Sequence, residues 1–416
     1  MKILWITNIL MPDIAEAIGK SRPSAGGWMY SLASSLTLHD NNLQLVIATV
    51  SKIDKLTHQL VNGIDYYVLP LRGKMTVYQK HLEGIWKSIY DEQKPDVVHI
   101  HGTEYPHGLA FLNACPYAKS VISIQGMVGP YSRYYTGGLS KLDIYKNLTI
   151  IDFLTQMNIL KEKKDFEKRG VYEKEAIKRV NHIIGRTSWD KAHTWAINSN
   201  AEYHFCNETL RSIFYEKAWC YENCEHHSIF ISQASYPIKG FHQVLKAMPF
   251  ILSKYPDTKI RVAGADIVKG KLYFGKTYIS TNYGSYIKSL LRNLGLVDKV
   301  IFLGPLQEEE MCNQYLKSNV FICPSSIENS PNSLGEAQLL GMPCVASYSG
   351  GIPDMMRGRE EWLYRFEEIE MLAELVCKAF ELRHPFNRQD ALDRHNLKRN
   401  TKQVIEIYKH IIYENY

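Results

Sequence analysis

The chain alternates short apolar runs with longer amphipathic stretches along most of its length. Amphipathic stretches such as Trp28–His39 and Tyr78–Glu92 predict helices. The apolar runs are continuous Val, Ile and Leu, which is typical of parallel strands that helices cover on both faces. In the first half these predicted strands are Lys2–Asn8, Gln44–Val50, Tyr66–Pro70, Val97–His101, Ser120–Gln125 and His182–Gly185. The pattern predicts a doubly wound α/β domain.

A second series of the same kind follows. Its predicted strands are Ser228–Gln233, Lys259–Gly264, Lys299–Gly304, Val320–Pro324 and Pro343–Ser347, with helices near Phe241–Tyr255, Tyr286–Leu294, Glu308–Lys317 and Pro331–Leu340. After Pro385 the chain is predicted to be helical to its end. We therefore expect an N-terminal domain at 1–205, a connection at 206–227 and a C-terminal domain at 228–397. The terminal helix, 398–416, has an apolar stripe and is expected to complete the N-terminal domain.

Composition and charge restrict the function classes. The chain has 416 residues, 45% of them apolar, which excludes disorder and fits two or three domains. The net charge is +6, and residues 251–300 alone hold nine Lys/Arg against three Asp/Glu. One local basic block predicts a small anionic ligand rather than a nucleic acid. The N-terminal apolar run breaks at Pro12 and no run is long enough for a membrane span, so the prediction is a cytoplasmic protein.

The segment after the predicted strand Val320–Pro324 carries the strongest signal for a ligand. Ser330 and Pro331 are typical of a helix start, and the amides of Asn332, Ser333 and Leu334 are then expected to be unpaired. Such a helix N-terminus favours a phosphate or diphosphate. Two carboxylates, Glu328 and Glu336, flank this predicted anion site, where they either accept hydrogen bonds from ligand hydroxyls or are simply a turn residue and a surface residue.

Two other strand-to-helix turns have compatible chemistry. Lys239-Gly240 follows the first strand of the second series, and Gly26-Gly27 follows the first strand of the chain. A lysine and glycine-rich backbone can both approach a phosphate. The patterns of dinucleotide-binding and P-loop proteins are absent from the sequence, which disfavours an oxidoreductase or a P-loop ATPase.

A metal site is not expected. Cys220-x3-Cys224-x-His226-His227 offers ligand types, but its spacing matches none of the usual zinc patterns. We interpret the segment as part of a solvated connection.

Together these segments resemble the retaining glycosyltransferase family 4. The resemblance rests on Glu328-x7-Glu336, Lys239-Gly240, Gly26-Gly27, the Gly350–Asp354 segment and the terminal helix. It implies the GT-B fold, in which two facing Rossmann-like domains are joined by a C-terminal helix that returns to the first domain. The donor would be a nucleotide-diphosphate sugar, with no separate cofactor.

The resemblance also implies roles for individual residues. Glu336 would hold the ribose hydroxyls, Glu328 would contact the transferred sugar, and Lys239 would neutralise the diphosphate. Amides around Ser333 and Leu334 would assist Lys239, and the loops at Gly264 and Leu306 would border the base. The Gly26-Gly27 loop, Asn332 and Arg186 complete the predicted donor-binding set.

The sequence departs from the family at three places that matter, one of which is Asn329-Ser330-Pro331, where the family often has Gly-Phe-Gly. An arginine usual in the family is Ala234 here, and we predict that Arg186 replaces it. A histidine that often follows the fifth strand is Gln125, which can hydrogen-bond a sugar but cannot act as a base near neutral pH. The acceptor side is less defined: His101 either orients an acceptor hydroxyl or is a buried, hydrogen-bonded histidine.

The predicted function is a retaining hexosyltransferase of cell-surface polysaccharide biosynthesis, with a glycan or lipid-linked glycan as acceptor. The sequence contains no Asp-x-Asp, so metal-independent transfer is expected. Residues 141–179 mix apolar and basic positions, which fits either peripheral contact with the inner face of a membrane or a solvated helix. Two other functions stay open: a nucleotide-sugar 2-epimerase of GT-B fold, and a non-catalytic sugar-nucleotide or glycan-binding protein.

Overall fold

The computed structural model describes residues 1–21, 27–39, 42–273 and 277–414. The chain forms two compact units, each built from more than one segment. The N-terminal unit contains Met1–Pro130, Asp165–Leu210 and Arg394–Tyr416, and the C-terminal unit contains Tyr131–Lys164 and Arg211–Asp393.

The N-terminal unit has one eight-stranded sheet, in the order β3-β4-β2-β1-β5-β6-β7-β8. All neighbours are parallel except β3 and β4. The strands are β1 (Lys2–Thr7), β2 (Gln44–Ser51), β3 (Thr57–Val61), β4 (Ile64–Pro70), β5 (Val97–His101), β6 (Ser120–Ser123), β7 (His182–Gly185) and β8 (Glu202–Phe205). The apolar runs thus form the parallel sheet that the sequence predicts.

The two edge strands, β3 and β8, were not predicted. Alternate residues of β3 are exposed, and both end residues of β8 are exposed. Edge strands have one neighbour and lie partly in solvent, so they lack the continuous apolar run that identifies a central strand.

The C-terminal unit has a six-stranded parallel sheet, in the order β13-β10-β9-β14-β15-β16. A separate antiparallel hairpin is formed by β11 and β12. The strands are β9 (Glu225–Ile231), β10 (Lys259–Ala263), β11 (Lys271–Tyr273), β12 (Thr277–Ile279), β13 (Val300–Gly304), β14 (Ser318–Cys323), β15 (Cys344–Ser347) and β16 (Leu363–Tyr364). Every residue of β14 is buried, as expected for a central strand.

Helices connect the strands in both units. In chain order they are α1 (Pro12–Ala17), α2 (Gly27–His39), α3 (His81–Gln93), α4 (His107–Ala114), α5 (Val128–Ser132), α6 (Lys141–Lys146), α7 (Ile150–Thr155), α8 (Ile159–Ile177), α9 (Ser188–Ile197), α10 (Ile213–Glu216), α11 (Phe241–Lys254), α12 (Asn282–Asn293), α13 (Glu308–Lys317), α14 (Asn332–Leu340), α15 (Ile352–Met355), α16 (Ile369–Phe380), α17 (Gln389–Arg394) and α18 (Leu397–Tyr413). Short 3-10 turns occur at Tyr221–Asn223, Pro237–Lys239 and Glu360–Trp362. None of the described helices is both long enough and apolar enough to cross a bilayer.

The terminal helix α18 packs in the N-terminal unit. Its buried stripe includes Val404, Tyr408 and Ile411, which share a core with strand β1. Trp5 Nε1 donates a hydrogen bond of 2.9 Å to the Tyr408 hydroxyl. The N-terminal core is therefore completed by residues more than 400 positions away in sequence.

The segment Tyr131–Lys164 packs in the C-terminal unit, whereas the sequence prediction places it in the first domain. Asn282 makes two of the contacts that hold it there: its side chain donates to Ile144 O at 2.8 Å, and its backbone N–H donates to Asp152 Oδ1 at 3.0 Å. His242 also contacts the Gly137 carbonyl, at 2.7 Å. These are polar contacts between distant segments, which hydrophobic periodicity does not reveal.

Residues 211–227 are folded rather than a solvated connection. Phe214 and Trp219 are buried, and Trp219 Nε1 donates to Ser318 O at 2.8 Å. The stretch begins at Arg211, which is also anchored by a distant partner, Glu336.

Candidate functional site

The loop between β14 and α14 is held by two glycines with positive φ. A Cβ on Gly240 (φ +68°) would lie 1.7 Å from the Pro324 carbonyl oxygen, and one on Gly350 (φ +54°) would lie 1.9 Å from that of Glu328. The Gly351 N–H donates to this Glu328 oxygen at 2.9 Å. The sequence signals at Lys239-Gly240 and Gly350-Gly351 thus meet at one loop, since both glycines allow a close backbone approach.

Lys239 and Glu328 form an ion pair at this loop. Their side chains are 20% and 12% exposed, so the pair lies at the edge of the solvent. The Ser325 hydroxyl lies 3.3 Å from Glu328 Oε1. Burial alone lowers the pKa of Lys239, but the Glu328 carboxylate outweighs burial and the net pKa is above the ordinary value. Lys239 therefore remains a cation in the absence of a ligand.

Helix α14 begins one residue later than predicted. Its N-cap is Pro331, not Ser330, and no side chain caps it. The Leu334 N–H donates to Pro331 O at 3.0 Å, so the expectation that this amide is unpaired is wrong. The amides of Asn332 and Ser333 find no acceptor in the described part of the chain. The helix ends at Gly341, in the left-handed conformation (φ +74°) that its position at the C-terminus predicts.

Glu336 lies on α14 and is paired with Arg211, a residue that the sequence pattern did not identify. Arg211 Nε donates to Oε1 at 2.7 Å and Nη2 donates to Oε2 at 2.8 Å, so the pair is bidentate. Burial raises the pKa of Glu336, and the Arg211 pair opposes this rise. The sequence offered no local signal for this residue, because Arg211 precedes the short helix α10 and its partner is 125 positions away.

Gly264 and Leu306 lie at the carboxyl edge of the same sheet. The Gly264 N–H donates to Gly304 O at 2.9 Å, joining the ends of β10 and β13, and both glycines have positive φ. Leu306 is partly exposed two residues further on. All predicted donor residues of this unit therefore follow carboxyl ends of parallel strands, where ligands bind in such sheets.

His101, at the end of β5 in the N-terminal unit, is buried but not hydrogen-bonded. Neither ring nitrogen has a partner among the described residues. The ring stacks on His99 with centroids 3.8 Å apart, and Trp5 covers it at 4.4 Å. Burial, His99 and Arg186 together hold the pKa of His101 well below its usual range, so the imidazole is neutral.

A cavity of about 30 Å³ lies beside His101. Its walls include Ser123, Arg186, Glu208 and Thr209. The volume suffices for a water molecule or a small polar group.

Arg186 is 5% exposed and engaged within its own unit. Its guanidinium lies 2.6 Å from Glu208 Oε2 and donates to Ile124 O at 2.5 Å and to Gln125 Oε1 at 3.1 Å. Glu208 therefore already balances its charge, and the assignment of Arg186 to a donor phosphate stays a prediction. Gln125 is fixed by the same guanidinium.

The remaining predicted elements are placed as follows. Gly27 begins α2, while Gly26 lies outside the described residues. In the Cys/His segment, Cys220 pairs with Glu222 at 2.6 Å and His227 with Asp257 at 3.0 Å. Each of these two side chains thus has a partner within the protein.

Comparison with known proteins adds family information for the C-terminal half. Residues 225–404 match the model of the family "Glycosyl transferases group 1". The GDP-mannose-dependent monoacylated alpha-(1-6)-phosphatidylinositol monomannoside mannosyltransferase of Corynebacterium glutamicum is 25% identical over 152 residues, 35% of each chain. The D-inositol 3-phosphate glycosyltransferase of Corynebacterium diphtheriae is 34% identical over 115 residues, 28% of this chain and 25% of the relative. The chain thus spans less than half the length of these relatives.

Solved structures share the fold over nearly the whole chain. The sucrose-phosphate synthase of Thermosynechococcus elongatus has a TM-score of 0.68 at 14% identity and covers 99% of both chains. The Anabaena protein HepE, solved in complex with UDP and glucose, has a TM-score of 0.62 at 14% identity and covers 98% of this chain and 99% of its own. The chain as a whole therefore has the GT-B fold, and residues 225–404 are similar to the glycosyl transferases group 1 family.

Proposed function

We propose that this protein is a retaining hexosyltransferase that moves a hexose from a nucleotide-diphosphate sugar to a glycan or lipid-linked glycan acceptor in cell-surface polysaccharide biosynthesis. The observation that carries the proposal is the loop of the C-terminal unit that brings Lys239 and Glu328 together just before α14. It combines a cation, a carboxylate and two helix-end amides, which a diphosphate-linked sugar requires.

Donor binding separates Lys239 from Glu328 in this proposal. The ammonium moves to the diphosphate, where the Asn332 and Ser333 amides add the partial positive charge of the helix end. The released Glu328 carboxylate then accepts a hydrogen bond from a hydroxyl of the sugar. Glu336, oriented by Arg211, accepts hydrogen bonds from the ribose hydroxyls through the lone pairs that Arg211 leaves free.

The reaction breaks the bond between the sugar C1 and the diphosphate oxygen, and the diphosphate leaves with the electron pair. Lys239 and the helix-end amides stabilise the negative charge that develops on it. The acceptor hydroxyl attacks C1 from the same face, and its proton passes to the departing phosphate oxygen. Retention of configuration follows, and these groups supply the positive charge without a catalytic metal ion.

On the acceptor side we propose His101 and Gln125 as hydrogen-bonding residues. His101 is neutral, and its nitrogens contact no polar atom of the described chain, which leaves them available to a hydroxyl. The carbonyl oxygen of Gln125 accepts a hydrogen bond from Arg186, which orients the amide side chain.

We also propose a cytoplasmic protein that touches the inner face of the membrane through α6 and α7. The structure separates the apolar residues of the segment 141–179 into a buried and an exposed group. Ile144 and Ile151 are buried, whereas Leu148, Ile150, Phe153 and Leu154 are 44%, 73%, 85% and 63% exposed. These exposed side chains support the contact, because monomeric proteins seldom expose so many large apolar residues together. Flotation with anionic lipid vesicles checks it.

A donor screen with a matched variant tests the proposed function. Thermal shifts with UDP, GDP and ADP identify the base, and the corresponding nucleotide sugars are then assayed for turnover. Glu328→Gln is expected to lower kcat about 10²–10³-fold while nucleotide binding is kept, because the lost contact acts on the sugar. Binding without turnover in the unaltered protein would indicate a non-catalytic binder, and release of a 2-epimer would indicate an epimerase.

A further inference from the structure

A group of imidazoles and carboxylates lies at the edge of the N-terminal sheet opposite to the proposed acceptor residues. His182 and Glu202 are the first residues of β7 and β8 and are paired in register. His410 is in the last turn of α18, and Glu414 caps that helix. Arg186 follows the other end of β7, so this group is separate from the cavity beside His101.

The four side chains converge closely. Each offers one ligand atom, and these atoms all lie within 4.8 Å of one another. His182 Nε2 lies 2.8 Å from Glu414 Oε2, and His410 Nε2 lies 2.8 Å from Glu202 Oε2. No other such group of histidine, cysteine and acidic residues occurs in the described ranges.

We propose that His182, Glu202, His410 and Glu414 bind a zinc ion that fastens the C-terminal end of α18 to strands β7 and β8. Two imidazoles and two carboxylates form a donor set that suits zinc in a four-coordinate structural site.

The spacing of the ring nitrogens and carboxylate oxygens fits a shared metal ion. In each of the two His–Glu pairs one ring nitrogen and one carboxylate oxygen lie 2.8 Å apart, and a divalent cation bound to all four groups would replace these pairwise contacts. The two carboxylates balance the two positive charges of such an ion.

A fifth side chain provides the support that metal-binding histidines commonly have. His182 Nδ1 lies 3.1 Å from His204 Nε2. With zinc on Nε2, His182 carries its proton on Nδ1 and donates it to His204, which fixes the ring. His182 is 1% exposed, while the side chains of Glu202 and His410 are each 49% exposed and that of Glu414 is 38% exposed. The buried histidine fixes the position of the site, and the exposed ligands can rotate onto the ion.

The test uses the full-length protein without an affinity tag, stripped with EDTA and returned to zinc. We expect one zinc ion per chain after gel filtration, measured by elemental analysis. A hundredfold excess of zinc over its dissociation constant is expected to raise Tm by about 5 °C.

Variants at the exposed ligands separate metal binding from helix packing. His410→Gln and Glu414→Gln are each expected to weaken zinc binding at least ~10-fold, and His410→Cys is expected to keep it, because a thiolate is also a zinc ligand. His58→Gln is the matched control, since His58 pairs with Asp65 at 2.8 Å on the surface of the same unit. A control that binds zinc like the unaltered protein supports the site. Unaltered protein that retains no zinc, or His410→Gln that retains as much as the control, overturns it.

Discussion

The C-terminal unit contains two ion pairs of the same charge type but different construction. Lys239 reaches Glu328 with a single ammonium group, whereas Arg211 contacts both carboxylate oxygens of Glu336; both pairs are largely buried, with side chains 20% and 12% exposed in the first and 24% and 7% exposed in the second. Lysine is a mobile point charge on a flexible stem, and arginine forms a rigid fork that matches a carboxylate. The first pair can therefore open for a ligand, and the second is suited to hold a carboxylate in place.

This difference assigns separate duties to two glutamates that look equivalent in sequence. In the proposed function the donor takes Lys239 away from Glu328, so the Glu328 carboxylate becomes free only when the donor is bound. Glu336 keeps its partner, so its orientation does not depend on the ligand. Substitutions in the two pairs should therefore have different consequences, and similar consequences would mean that the pairs are alike.

Removing Arg211 is expected to have the largest effect on stability. Arg211→Ala leaves the buried Glu336 without its cation, and breaking such a pair costs about 3–5 kcal/mol of unfolding free energy. Arg211→Lys should recover only part of this free energy, because a lysine ammonium keeps the positive charge but cannot make the bidentate contact. Urea unfolding followed by circular dichroism measures both.

The control for Arg211 is an arginine on the surface of the same unit. Arg357 lies 3.8 Å from Asp354 and is 81% exposed. Exposed pairs contribute about 0–1 kcal/mol, so Arg357→Ala should change little. If Arg211→Ala were no more destabilising than this control, Glu336 would not depend on its partner.

Removing Lys239 is expected to act mainly on catalysis. Lys239→Ala should lower kcat/KM about 10²–10³-fold, because a charge aimed at the leaving group is lost. Initial rates with the donor found in the thermal-shift screen measure this. Lys254→Ala is the control, since Lys254 pairs with Glu381 in the same unit with both side chains more than half exposed. Equal rates in the two variants would contradict a role for Lys239 at the diphosphate.

The contrast between these two ion pairs also explains which site residues could be predicted from the sequence. Lys239-Gly240 and Glu328 follow predicted strands directly, so pattern and chain order suffice to place them at one sheet edge. Arg211 has no such context, because it lies in a polar stretch and its partner is 125 positions away. The predicted start of α14 is one residue too early. Ser330 is a residue type that favours the N-cap position, but the backbone places the N-cap at Pro331.

Prediction of the fold from the sequence has a similar limit. Central strands such as β14 are buried throughout and contain a continuous apolar run, here Val320–Cys323, that is visible in the sequence, whereas β3 and β8 lie at sheet edges and contain polar residues. The segment Tyr131–Lys164 packs in the unit that chain order did not suggest, and polar contacts from Asn282 and His242, on distant helices, join it to the C-terminal unit. Such long-range polar contacts have no periodicity from which they could be inferred.

The smallest expected effect is a pH dependence in the stability of the Arg211→Ala variant. Burial already holds the pKa of Glu336 above its ordinary value, and Arg211 limits the rise. Without Arg211 the native pKa rises further while the unfolded pKa stays near ~4.3, so native protein holds the proton over a wider pH range. Stability is then lost as pH rises through that range. The loss of unfolding free energy in Arg211→Ala relative to the unaltered protein should be larger near pH 8 than near pH 5, by about 1 kcal/mol or more.

Adding Glu336→Gln to the variant removes the titrating group and should abolish this pH dependence, because an amide has no proton to lose. A deficit that stays constant with pH, or one that persists in the double variant, would show that Glu336 is not the group that Arg211 holds ionised.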